Sequence, residues 1–131
     1  MSSNKKLIKR YDKKGNLVYC KYSSGFEAWQ EFDENNNLVY KKYSDGFEVR
    51  LEYDENNNLV YGKDSEGLEN WYKFDRNSNL IHYKNVDGDE YWFKWEDNER
   101  IEITHQEFKQ IERTKLYLNN KKINKFEIMD I

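Results

Sequence analysis

Along most of the chain apolar and polar residues alternate in runs of six or seven, which is the period of β-strands with one face turned to solvent. Leu38-Val39-Tyr40-Lys41-Lys42-Tyr43 is one such run, rich in β-branched and aromatic residues, and Phe47 to Tyr53 is another. Ser44-Asp45-Gly46 lies between them, and Asp-Gly is a strong hairpin-turn signal. Asp33-Glu34-Asn35-Asn36-Asn37 precedes the first run, and Asn tolerates the left-handed conformation that turns demand.

The pattern repeats. Tyr11-Asp12, Phe32-Asp33, Tyr53-Asp54, Phe74-Asp75 and Trp95-Glu96 recur every 21 residues, as do Asn16-Leu17, Asn37-Leu38, Asn58-Leu59 and Asn79-Leu80. Glycines follow the same spacing at 25, 46, 67 and 88. Each period holds two strands and two short turns, too little chain for a crossover, so neighbouring strands are expected to be antiparallel. The pattern predicts an all-β fold of tandem antiparallel β-hairpin repeats forming a meandering sheet over about residues 5–103. One domain is expected over 1–131, with repeats at 11–103 and a helix-and-strand cap at 104–131. In that cap Thr104-x-x-Glu107 reads as a capping box, and Phe108, Ile111 and Leu118 follow at helical spacing. A helix is expected at about 105–118, ended by Asn119-Asn120, with a final strand at 123–131 covering the sheet's edge.

Alternation sorts the return strands into two faces. One carries Ala28, Gln30 and Phe32, then Val49, Leu51 and Tyr53, then Asn70, Tyr72 and Phe74, then Tyr91, Phe93 and Trp95. On the other, Trp29, Arg50, Trp71 and Trp92 share one repeat position among charges, with Glu48, Glu69 and Glu90 two residues before the last three. Trp and Arg concentrate binding energy at protein interfaces, so these seven residues are the candidate binding site. The plainer alternative is a cross-strand ladder that stiffens a thin sheet. The aromatic residues of the first face are a rival contact surface, or a homodimer interface.

The formal charge is −3, so composition shows no basic footprint for direct contact with nucleic acid. The 17% aromatic content argues against disorder despite 36% charged residues. Cys20 is the sole cysteine, so no intramolecular disulfide forms, and a reducing, cytoplasmic setting is expected. There is no apolar run of membrane-spanning length and no secretory h-region after Met1.

No catalytic constellation stands out. His82 fills the slot held by Tyr19, Tyr40 and Tyr61, which marks packing, and His105 lies 23 residues away. Asp33-x-Asn35-x-Asn37 imitates the start of a calcium loop, but Leu38 and Ser44 stand where Gly and Glu are needed. Repeating carboxylates share one environment, whereas acid–base pairs need unlike ones. No enzyme activity, cofactor or metal is expected.

The sequence of features in each unit is aromatic-Asp, three residues, Asn-Leu, seven residues to Gly, and a charged-aromatic strand back to aromatic-Asp. This resembles the YD (Rhs) repeat, in four full copies over residues 11–95. It departs in one respect: the Gly usual before the second turn's Asn or Arg occurs only as Gly15, with Asn36, Asn57 and Ser78 elsewhere. Long arrays of such repeats build β-shells, and four units cannot enclose a cargo. Short stand-alone arrays of this kind also look like bacterial immunity or antitoxin-type proteins and phage accessory proteins. The resemblance implies a non-catalytic inhibitor or immunity-type module that blocks a protein partner such as a toxin, nuclease or other effector. The alternatives are an anti-CRISPR-like antagonist contacting a nuclease or its guide RNA, a carbohydrate binder using tryptophan platforms, and a purely structural fragment of a longer array.

Overall fold

The computed structural model describes residues 5–129, with side chains through residue 119. Ten strands follow one another in a single open antiparallel sheet, in the order of the chain. They are β1 (Lys6–Tyr11), β2 (Leu17–Tyr22), β3 (Glu27–Phe32), β4 (Leu38–Tyr43), β5 (Glu48–Tyr53), β6 (Leu59–Asp64), β7 (Glu69–Phe74), β8 (Leu80–Asn85), β9 (Glu90–Glu96) and β10 (Glu99–Ile103). One helix, α1 (His105–Met129), follows them. The all-β hairpin array with a helical cap is therefore the architecture of the chain.

Two compact units divide it: Met1–Asp89, holding β1 to β8, and Glu90–Ile131, holding β9, β10 and α1. The division falls within the fifth copy, because β9 pairs with β10 and also packs against α1.

In the first unit both kinds of turn have one geometry. Tyr43 N–H donates to Phe47 O at 2.9 Å and Gly46 N–H to Tyr43 O at 3.0 Å; Asp33 N–H donates to Asn37 O at 2.9 Å and Asn36 N–H to Asp33 O at 3.1 Å. These are three-residue loops whose third residue has positive φ, not the two-residue turn that Asp45-Gly46 suggests. The aromatic-Asp motif has a local cause. Asp33 Oδ1 accepts from the backbone N–H of Asn35 and of Asn37, both at 2.9 Å, and Asp12, Asp54 and Asp75 do the same in their turns. The bond from the Asn16 backbone holds the Asp12 carboxyl below the usual carboxylate range, and the bond from Asn37 does so for Asp33.

The two rims of the sheet differ at the positive-φ position. On the Gly rim φ is +90° to +96° at Gly25, Gly46, Gly67 and Gly88, beyond the left-handed well of side-chain-bearing residues. On the Asp rim Asn36, Asn57 and Ser78 sit at 63–65°, inside that well. Their side chains are used. Asn16 Nδ2 donates to Asn36 Oδ1, Asn37 Nδ2 to Asn57 Oδ1 and Asn58 Nδ2 to Ser78 Oγ, each at 2.9 Å. Each of these turns is thus tied to the next. The departure from the YD pattern follows from this ladder. On the Gly rim, Ser44 Oγ accepts from Glu27 N–H and Ser65 Oγ from Glu48 N–H, both at 2.9 Å.

Cys20, Ala28 and Ile81, the buried residues of this unit, lie on the face away from Trp29, and Cys20 pairs with Ala28 across β2 and β3. The rival contact residues Phe32, Tyr53 and Phe74 are half-buried there, and Tyr53 donates its hydroxyl to Leu38 O at 2.9 Å. Gly62 stands where Cys20, Lys41 and Tyr83 stand in other repeats. Its missing side chain opens a notch of about 230 Å³ bordered by Val49, Leu51, Leu59 and Tyr72.

In the second unit β9 and β10 join through Asp97 and Asn98, with φ of 51° and 64°, a two-residue type I′ turn. Thr104 caps α1 as expected, accepting the Glu107 N–H at 3.1 Å. The other half of the box differs: the Thr104 hydroxyl faces Glu107 Oε1 at 3.5 Å. The expected end of the helix at Asn119-Asn120 and the strand after it are corrected by the structure, for α1 runs through both asparagines to Met129. Asn costs a helix well under 1 kcal/mol, and Lys, Glu and Met beyond it favour helix, with no Gly or Pro to stop it. Residues 130 and 131, the end of that expected strand, lie outside the described residues.

Candidate interaction surface

Trp29, Arg50 and Trp71 occupy the same position of β3, β5 and β7 and share the face opposite the buried residues. Each is the most exposed of its immediate strand neighbours, Trp29 at 37% and Trp71 at 36%. The register shows how they align. Trp29 pairs with Lys42 on β4, whereas Arg50 pairs with Tyr40, two residues along the same strand. The same step recurs on β6, where Arg50 pairs with Lys63 and Trp71 with Tyr61. The three residues therefore lie on a diagonal, two strands across and two residues along per repeat, about 12 Å from one to the next at ordinary strand spacings.

The setting of each is built by the preceding even-numbered strand. The Tyr19 and Trp29 ring centroids are 5.7 Å apart at 47°, and those of Tyr61 and Trp71 are 5.7 Å apart at 49°. Between them the Arg50 guanidinium lies 4.6 Å from the centre of the Tyr40 ring, in cation–π geometry. Each tyrosine is fixed at its far end by a glutamate. Tyr19 donates to Glu27, Tyr40 to Glu48 at 3.0 Å and Tyr61 to Glu69 at 2.7 Å. The bond to Glu69, with burial second, pushes the Tyr61 hydroxyl up to about 12. Lys42 adds an ion pair to Glu48 at 3.8 Å. Glu48 and Glu69, candidate binding residues by sequence, thus serve as braces for the aromatic row.

Trp92 and Glu90, the remaining candidates, belong to the other unit. There the Trp92 ring is half-buried and stacks on His105, with centroids 4.4 Å apart and planes 14° apart. His105, at the start of α1, covers one face of that ring. The tyrosines were not singled out as site residues from sequence, although Tyr19, Tyr40 and Tyr61 each precede a Glu by eight residues, a legible signal.

No model of a protein family matches the chain, and no curated protein matches it. Among solved structures 39 chains match. One is the crystal structure of TcdB2-TccC3-Cdc42, with a TM-score of 0.57 and 14% identity over 68% of this chain. The chain spans 5% of the length of that structure's matching chain. The likeness is one of fold.

Among the described residues no group of His, Cys, Asp and Glu is arranged to hold a metal ion. The Asp-rim carboxylates already accept backbone N–H groups. Among the described residues no helix is long and apolar enough to cross a membrane.

Proposed function

We propose that this chain is a non-catalytic protein-binding module whose principal contact is the Trp29–Arg50–Trp71 diagonal, and that it inhibits or neutralises a protein partner by covering it, in the manner of an immunity protein. The observation that carries this reading is the pair of matched stations at Trp29 and Trp71. Each holds a partly exposed indole against a tyrosine that a glutamate has locked in place. Rigid aromatic anchors bind with little loss of side-chain entropy, and Trp, Tyr and Arg are the residues enriched at hot spots. Lys42 and Lys63, paired with Trp29 and Arg50 across the strands, supply charge to match an acidic rim on the partner.

The test compares affinity capture from source cells by wild type, Trp29→Ala/Trp71→Ala and Lys41→Ala, read by quantitative mass spectrometry. The purified partner is then titrated calorimetrically. Lys41 lies on the opposite face. A partner held by wild type and Lys41→Ala, with affinity falling at least about 30-fold in the double variant, supports the reading. Equal affinity in a folded double variant overturns it. Loss of folding in the double variant assigns the row to a structural ladder instead.

A further inference from the structure

β1 stands at one end of the sheet order and, among the described strands, pairs with β2 alone. Its outer side presents backbone N–H and C=O groups that no described strand answers. Two things set it apart from the other odd-numbered strands. One is charge. Lys6 and Arg10 stand at the repeat positions held by Glu27 and Glu31 in β3 and by Glu48 and Glu52 in β5. With Lys5, Lys9, Lys13 and Lys14 they make six cations in residues 5–14, against Asp12, whose Oδ1 accepts the N–H groups of its own turn. The other is exposure. Leu7 is 65% exposed, whereas Ala28, its counterpart in β3, is 4% exposed between β2 and β4. Ile8, at the position of Trp29, is 44% exposed.

We propose that the outer edge of β1 takes an extended acidic segment of a partner protein as an added strand. The register of β1 on β2 is regular from Ile8 to Arg10 and shifts at either end, so the addition is short. Short ladders are the habit of this sheet, for β3, β5 and β7 each take the preceding strand through three residue pairs. The edge itself selects the occupant. A second copy of β1 would set Lys6, Lys9 and Arg10 against the same cations, and like charges on facing strands repel. Phosphate groups of a nucleic acid accept hydrogen bonds, so they leave the edge carbonyls unanswered and offer nothing to Leu7 and Ile8. A lipid surface would cover Leu7 and Ile8 but strip water from the polar backbone beside them. A peptide strand answers N–H and C=O groups alike, and its Asp and Glu side chains meet the cations. The proposal is independent of the contact assigned to the Trp29–Arg50–Trp71 diagonal.

The probe is a labelled synthetic peptide of residues 37–44, an even-numbered strand of the kind that odd-numbered strands already pair with, carrying Lys41→Glu and Lys42→Glu. The unchanged peptide is the control. Fluorescence anisotropy on the full chain at low salt is expected to show the acidic peptide binding at least about 10-fold more tightly than the control. Two further acidic peptides are N-methylated on alternate backbone amides, one on each set. One of the two is expected to lose at least about 10-fold in affinity, because only one set faces the edge. Lys6→Glu/Lys9→Glu/Arg10→Glu is expected to fold, since β3 and β5 carry Glu at two of these positions, and to reverse the preference between the two unmethylated peptides. Where that variant loses its fold, Lys9→Gln/Arg10→Gln is the readout, with the acidic peptide expected to weaken at least about 3-fold. Absence of acidic-peptide binding at low salt, equal affinity for the control, or undiminished binding of both methylated peptides would overturn the proposal. So would single-stranded RNA or anionic phospholipid vesicles competing as well as the acidic peptide, or a wild-type dimer that the triple variant breaks.

Discussion

Asn37 Nδ2 donates to Asn57 Oδ1 at 2.9 Å, joining residues 20 apart in the chain on two successive turns. Asn57 is also one of the residues at positive φ. It therefore does two things, and substitution separates them. Asn57→Gly keeps the backbone conformation and loses the bridge, and is expected to cost about 1 kcal/mol. Asn57→Ala loses the bridge and adds strain, and is expected to cost about 2 kcal/mol. Urea denaturation of the two variants orders them.

At φ of +96° and +94°, Gly46 and Gly67 occupy backbone that a β-branched residue resists. A Cβ there meets nothing within 4 Å, so the cost is conformational and not steric crowding by neighbours. Gly46→Val and Gly67→Val are each expected to lower stability by about 1–3 kcal/mol, and Gly46→Asn by less. Unchanged denaturation midpoints in the valine variants would contradict the turn geometry.

Acid should loosen the Asp rim. Asp12 and Asp33 have folded pKa values below their unfolded ones, through bonds from Asn16 and Asn37. Their contribution is complete above about pH 4, the unfolded value, and is lost as the pH falls through the folded values. The urea midpoint is expected to hold from neutral pH to about pH 4 and then to drop. Asn85 fills the matching slot on the Gly rim, with its Oδ1 accepting from Asp87 N–H and Asp89 N–H at 3.0 Å. Asp33→Asn should accordingly keep its turn and flatten that part of the acid dependence.

Alkali acts on the other face. The Tyr61 hydroxyl, bonded to Glu69, is raised to about 12 in the folded chain. An unfolded tyrosine ionises near pH 10, so the stabilisation is present below that value and lost as the pH rises towards about 12. Tyrosinate absorbance is expected to show a late-titrating group that Tyr61→Phe removes. Glu69→Gln is expected to bring it earlier.

Gly62 is a strand glycine with ordinary φ, and an added Cβ would lie 3.3 Å from Leu51 Cδ2. Leu51 borders the notch of about 230 Å³ and has room to yield. Gly62→Ala is therefore expected to raise stability by about 0.5 kcal/mol, chiefly by restricting the unfolded chain. A lower urea midpoint would show that Leu51 cannot move.

Period, strand boundaries and the two faces were legible in the sequence because each is a local pattern repeated four times. The Tyr-Asp and Asn-Leu pairs mark turns whose hydrogen bonds span two to four residues, so position in the chain is enough to read them. The diagonal of Trp29, Arg50 and Trp71 was legible as a shared face and not as a slope, since the slope comes from pairing register on β4 and β6. The ladder from Asn37 to Asn57 was hidden for a similar reason. Its partners are adjacent only once the sheet is assembled, and their sequence signal is the same Asn that serves the turn. At the C-terminal end the pattern misled. Asn119-Asn120 reads as a helix stop, yet two residues of modest propensity do not interrupt a helix whose following residues favour it.

The two-residue step between successive stations gives the array the character of a ruler. The separation of Trp29 from Trp71 is fixed by a whole number of 21-residue units, and the strands of the first compact body pack chiefly against their neighbours in the sheet. Excising residues 33–53 would set the two indoles one graduation apart, and duplicating that segment would set them three apart, with the turn ties re-formed at each junction. The reach of this surface is a length that insertion or deletion of whole repeats can retune while leaving its composition at every station untouched.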